Sequence, residues 1–236
     1  MKRLICLLLC GLTLLSLTGC GAPKTETLDI FAMDTYMSLV AIGDGASDVL
    51  QACSNEINAL EQRLSRTIET SSVAQLNANG IAQLDDATAA LLQAALQYSA
   101  ETGGTFDVTI APLVELWGIT GDDPRVPAQS EIDALLPLVG SGHVHLEGTA
   151  AALDEGCAID LGGIAKGYAS DKTAELFAGS GISGGFVSLG GNVYVHGVTA
   201  EGQPWNVAIQ DPRNTEAYAC TCLLYTSPSP RDRQKS

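Results

Sequence analysis

Ala158-Ile159-Asp160-Leu161-Gly162-Gly163-Ile164-Ala165-Lys166-Gly167-Tyr168 is the stretch on which the reading of this chain turns. It opens as an apolar strand and meets two glycines, which let backbone approach a ligand closely. It then delivers a lysine at the start of a helix expected from Lys166 to about Phe177. A carboxylate, free backbone groups, a helix N-terminus and a cation within seven residues suit a phosphate-bearing ligand and a metal. Plain packing is the competing use of such a corner.

Downstream of the corner, the glycines between Gly179 and Gly185 stop the helix. Phe186–Leu189, Val193–Val195 and Trp205–Ile209 then read as strands of a meander, parted by Gly190-Gly191-Asn192 and Gly202-Gln203-Pro204 and turned by Asp211-Pro212-Arg213-Asn214. Upstream, His143–Leu146 and Ala150–Leu153 alternate about Glu147-Gly148-Thr149 as a hairpin. Ser130-Glu131-Ile132-Asp133 resembles a capping box opening a helix to Val139. Ala111–Trp117 is a short apolar helix, and Thr105–Thr109 an extended entry to a site. A helix from Asp86 to Glu101 carries its cap at Asp85 or Asp86. Ser65–Ser72 reads as a polar segment, followed by a short turn ending near Gly80.

The first helix, from about Ala46 to Leu64, repeats Val49, Cys53, Ile57, Leu60 and Leu64 at three- and four-residue steps, which makes one buried stripe. Leu28–Ile42 is a strand pair interrupted at Met33-Asp34-Thr35-Tyr36. Helices cluster early and hairpin-joined strands late. That order predicts an α+β domain, with helices on a mostly antiparallel sheet, rather than a doubly wound parallel sheet.

Twelve basic residues against 27 acidic ones exclude nucleic acid as a partner, because phosphate backbones are bound by basic surfaces. The N-terminus reads as an export signal over 1–19: Lys2 and Arg3, then an apolar run from Leu4 to Leu17, short for a membrane span. It closes on Leu17-Thr18-Gly19-Cys20, which resembles a bacterial lipobox. Cys20 is then the lipidated first residue of the mature protein, 20–27 its linker, and the membrane surface a partner through the lipid anchor. This predicts work on the extracytoplasmic face of a cell membrane. Cys53 and Cys157 read as core residues, so the seven cysteines form no disulfide framework. Residues 220–236 lose the earlier patterning, finish basic, and read as a read-through scar after a domain over 28–219 that the natural chain is expected to continue.

Two short motifs fall away. Gly181-Ile182-Ser183-Gly184-Gly185 matches G-x-S-x-G, but a nucleophile elbow needs a strand before it and a helix after it, the reverse of this order. His143-Val144-His145 places two imidazoles on one strand face with no third ligand at a recognisable spacing.

Four segments occur in order: Met33-Asp34-Thr35-Tyr36, Thr102–Leu113 with Thr105-Phe106-Asp107 at its heart, Asp160–Tyr168, and Ser188-Leu189-Gly190-Gly191-Asn192. Together they resemble the ApbE family, the FAD:protein FMN transferases, over about Leu28 to Asn214. The resemblance implies a T-fold-related single domain that moves FMN from FAD to a threonine hydroxyl of a target protein with Mg2+, releasing AMP. Met33, Thr105, Phe106, Asp107, Asp160 and Lys166 are the implied FAD contacts, and the Gly163 carbonyl an implied magnesium ligand. The implied acceptors are subunits of membrane redox complexes.

Physically, an aromatic offers a ring face for stacking, carboxylates accept from ribose or adenine, and lysine is a point charge for pyrophosphate. Without the resemblance, Phe106 reads equally as core and Asp107 as a cap. The general base and the family's acidic and hydroxyl magnesium ligands are expected in a C-terminal segment beyond this sequence. Where relatives often carry an aromatic after the first helix, this chain has Ser65-Arg66-Thr67-Ile68. A non-catalytic flavin-nucleotide-binding lipoprotein and an FAD pyrophosphatase remain open beside the transferase.

Overall fold

The first hairpin sets the main sheet. In the computed structural model, which describes residues 23–119, 121 and 123–224, β1 (Thr25–Ala32) pairs antiparallel with β2 (Thr35–Ile42). The signal segment and Cys20 lie outside the described residues. β1 begins inside the stretch expected as linker, and the turn is shorter than the expected interruption, only Met33-Asp34. Both turn residues are left-handed, with φ of 49° and 55°. That is what a two-residue hairpin demands for its turn to match the strand twist, and Met adopts it only under strain.

The sheet continues through β6 (Gly184–Leu189) and β7 (Asn192–Gly197) in the order β1-β2-β6-β7, every pair antiparallel. Met37, Leu39 and Ala41 of β2 and Val187 and Leu189 of β6 turn one face inward, following the two-residue side-chain period of a strand. Helices α1 (Ala46–Leu64) and α6 (Gly162–Ser180) cover that face and pack against each other. The stripe of α1 is buried as its spacing predicts. Ile57, Leu60, Leu39 and Phe177 are essentially sealed from water, each worth roughly 1.5–3 kcal/mol of apolar burial.

Between α1 and α6 the chain builds a smaller unit. Helix α2 (Ser72–Asn79) stands where a polar segment and a turn were expected. The Ser71 hydroxyl accepts from the Ala74 N–H at 2.9 Å as its cap, and Val73 and Leu76 are buried. β3 (Ile81–Gln83) is too short to carry a sequence signal of its own. It joins β4 (Val144–Glu147) and β5 (Ala150–Leu153) in a sheet of order β3-β5-β4. Helix α3 (Asp86–Glu101) takes its cap from Asp85, which accepts from Thr88 N–H at 3.0 Å. A 3-10 turn (Val108–Ile110) stands in the expected extended segment, and α4 (Ala111–Trp117) follows it.

Helix α5 (Gln129–Leu135) is only half boxed. Glu131 accepts from Ala128 N–H at 2.8 Å, and Ala128 has no side-chain oxygen to return the bond. Pro137 turns the chain into a 3-10 turn over Leu136–Leu138, so the helix stops short of Val139.

β8 (Trp205–Asp211) and β9 (Asn214–Leu224) form a separate antiparallel ribbon. Trp205 ties it to the main sheet, donating from Nε1 to the His196 carbonyl at 3.0 Å and meeting Phe186 edge-on at 5.5 Å. Residues 220–224, expected as part of a tail, pair within this ribbon, with Cys220 opposite Ile209 and Cys222 opposite Val207. Among the described residues no helix is long and apolar enough to cross a membrane.

Candidate functional site

Residues 157–161 approach the site without forming the expected strand. A side chain takes the place of a strand partner. The Ile159 N–H donates to Asn77 Oδ1 at 2.8 Å, and Asn77 Nδ2 donates to the Ile159 carbonyl at 2.8 Å. The Asp160 N–H then reaches the Val108 carbonyl at 2.7 Å. Asp160 Oδ1 accepts from the Gly162 N–H at 2.7 Å, and α6 starts there, earlier than the expected start at Lys166.

This start opens a cleft of about 350 Å³ between the Met33-Asp34 turn, the loop after α1 and the first turns of α6, a volume at the lower end for small-ligand sites. Met33, Asp34, Arg66, Ile68, Asp160 and Lys166 are among its walls. Glu61, also in the wall, accepts from the Met33 N–H at 2.7 Å and holds the strained turn in place. The Lys166 ammonium has no ion-pair partner among the described residues, and the cleft is where it can find one. Asn192 fixes the helix behind it, donating to the Lys166 carbonyl at 3.3 Å and to Ser170 Oγ at 2.9 Å. Asn192 follows the Gly190-Gly191 turn. Gly190 has φ of 61° and lies so close to Thr35 that a Cβ would collide with its hydroxyl, which sets the β6–β7 turn beside the β1–β2 turn.

The structure therefore brings Met33, Asp160 and Lys166 into one cleft and leaves Thr105, Phe106 and Asp107 outside its walls. Thr105 is exposed and donates from Oγ1 to the Thr102 carbonyl at 2.9 Å. Phe106 is half-buried behind the corner. A Cβ on Gly163 would stand 3.1 Å from the ring, so glycine permits the contact. Asp107 caps the 3-10 turn, its Oδ1 accepting from the Thr109 N–H at 2.8 Å and the Thr109 hydroxyl at 2.6 Å. Both segments meet at one corner, with 105–107 as support and 160–166 as wall.

Sequence reasoning missed Glu61 and singled out no role for Arg66. Glu61 is a polar position in the last turns of an amphipathic helix, indistinguishable in pattern from a solvated one. Arg66 left a faint signal as the only cation in the polar segment after α1.

The described residues do not by themselves supply a full ligand set for the implied magnesium. Gly163 lies in the first turn of α6, both Asp160 oxygens are engaged, and no group of three His, Cys, Asp or Glu among the described residues could hold a metal. His143 and His145 share no strand face, because His143 belongs to a 3-10 turn. Both rings instead hydrogen-bond Asp154, at 2.9 and 2.8 Å. The bond to His143, then that to His145, holds the Asp154 carboxyl below the usual carboxylate range. Burial pushes the Cys53 thiol up to about 12, which leaves it an inert core group. Ser183 of the G-x-S-x-G match donates to the Ile42 carbonyl at 3.0 Å and serves the sheet.

A helix-backed antiparallel sheet with Arg66 and Lys166 in one cleft suits an α+β protein that takes a phosphate-bearing ligand. The model of the ApbE family matches residues 33–229, and the chain belongs to that family. The FAD:protein FMN transferase of Salmonella typhimurium is 30% identical over 241 residues, covering 92% of this chain and 68% of that one. The enzyme of the same name from Escherichia coli K12 is 35% identical over 141 residues, 56% of this chain and 40% of that one. Among solved structures, the ApbE protein of Thermotoga maritima superposes with a TM-score of 0.80 at 30% identity, over 85% of this chain and 68% of that one. The flavin transferase ApbE of Vibrio cholerae does so with 0.73 at 25% identity, over 80% and 65%. The chain thus spans about two thirds or less of the length of these relatives.

Proposed function

We propose that the chain is a flavin transferase that binds FAD in the cleft and passes FMN to a protein hydroxyl. The observation that carries this reading is the meeting of Met33, Asp160 and Lys166 from distant parts of the sequence around one cleft in a member of the ApbE family. In such a transfer, a threonine hydroxyl of the acceptor gives up its proton to solvent, its oxygen bonds to the FMN phosphorus, the pyrophosphate P–O bond breaks, and AMP leaves. Most of the catalytic work there is positioning and charge neutralisation. This chain's own contribution is Lys166, a compact cation beside the pyrophosphate, held in place by the clasp of Asn192 on α6.

Magnesium dependence belongs to the same proposal. So does an extracytoplasmic membrane location through Cys20, with a subunit of a membrane redox complex as acceptor. The test is to incubate the full-length protein, recovered from the membrane fraction, with FAD, Mg2+ and a threonine-bearing acceptor, and to read in-gel flavin fluorescence. We expect a fluorescent acceptor, abolished by EDTA and reduced at least tenfold by Lys166→Ala. Free FMN without labelled acceptor marks a pyrophosphatase and overturns transfer. FAD recovered unchanged marks a carrier.

A further inference from the structure

The loop after α1 brings Arg66 into the cleft wall, with a side chain only 11% exposed. Its Nε donates to Asp160 Oδ2 at 3.0 Å and its Nη1 to Glu115 Oε1 at 3.2 Å. The two carboxylates hold it unequally. Asp160 is half-buried and is itself fixed by the Gly162 N–H. Glu115 is 65% exposed on a short helix, and an ion pair in that setting is weak and readily exchanged. The guanidinium is a planar fork of five donors, matched to two oxygens of a phosphate.

We propose, resting on the reading that the cleft takes FAD, that Arg66 is a positioning residue for the ligand's pyrophosphate and that Glu115 is the placeholder the phosphate displaces. Asp160 pins the Nε edge and keeps the guanidinium at the cleft wall. Glu115 occupies Nη1 until an oxyanion of higher charge arrives, so the empty site carries its own competitor. The family resemblance assigns neither residue. The arrangement couples α4 to ligand binding, because Glu115 is let go as the cleft fills.

The test measures FAD and ADP affinity by titration for the parent, Arg66→Ala, Arg66→Lys and Glu115→Gln, with the thermal midpoint of each unliganded protein as the check on folding. Arg66→Ala is expected to weaken both ligands at least tenfold and by a similar factor, since they share the pyrophosphate. Arg66→Lys restores part of the loss by returning the charge without the fork. Glu115→Gln tightens both about threefold. Unchanged affinity in Arg66→Ala, no recovery in Arg66→Lys, or unchanged or weaker binding in Glu115→Gln would each overturn the proposal. A parent that binds neither FAD nor ADP sinks the flavin reading itself, whereas a parent that binds them with unaltered variants sinks only the role given to Arg66 and Glu115.

Discussion

Asp107 and Asp160 begin alike and end differently. Each carboxylate accepts from the backbone N–H two residues on, Thr109 at 2.8 Å and Gly162 at 2.7 Å, and each thereby starts a helical turn. Their remaining bonds part company. Asp107 takes the hydroxyl of the same Thr109, which in turn accepts from the Gly140 N–H at 2.7 Å. Asp160 sends its second oxygen across the cleft wall to Arg66. One local motif serves as an anchor in the first segment and as a cleft wall in the second. The residue's own neighbours do not decide which. The partner supplied from elsewhere in the chain does.

The sharpest way to break this contrast is Asp107→Ala. It strips a fully buried threonine of the acceptor for its N–H and O–H, and about 2 kcal/mol of stability should go with it. Thermal unfolding should show a drop of roughly 4–8 °C, while FAD affinity moves less than about twofold. A tenfold loss of affinity without destabilisation would make Asp107 a ligand contact after all. Asp160→Ala should show the opposite balance, with FAD affinity falling about tenfold, or ~1.4 kcal/mol, and a smaller change in melting. Equal melting losses in both variants would erase the distinction.

The smallest effect concerns Asp154, an exposed carboxylate whose partners are two imidazoles. Its folded pKa lies below the ordinary value, so its contribution is present above the usual carboxylate range and is lost as pH falls through the lowered folded value. Replacing His143 and His145 together by glutamine should move its carboxyl titration, followed by carbon NMR, back up towards the ordinary range. A titration that stays put would detach the imidazoles from the shift.

The strongly periodic parts of the fold were legible. The stripe of α1, the pattern and cap of α3 and the alternation of β2 each repeat one structural period long enough to exclude the other. Helix α2 escaped because it is short and polar, with only Val73 and Leu76 facing inward. The sequence points to a later start of α6 than the structure shows, because glycines are poor helix formers. The bond from Gly162 to Asp160 compensates, and composition does not announce it. Residues 220–224 carry no pattern in isolation, and only the register of β8 shows them to be paired.

Of the site, the corner was legible only as a carboxylate and a cation set close together in the sequence, both of which line the cleft. Arg66 and Glu61 were not, because their meaning lies in contacts with Asp160 and Met33 that no local spacing encodes. The segment 105–107 was legible as important, though not as behind the wall.

The amide of Asn77 fastens the segment leading into the corner as a plug with one pin and one socket. A carboxylate there would set oxygen against the carbonyl of Ile159, and an aliphatic chain would offer neither half of the connection. The chemistry at the corner thus hangs on a side chain that touches none of it, carried by a helix too short to stand alone.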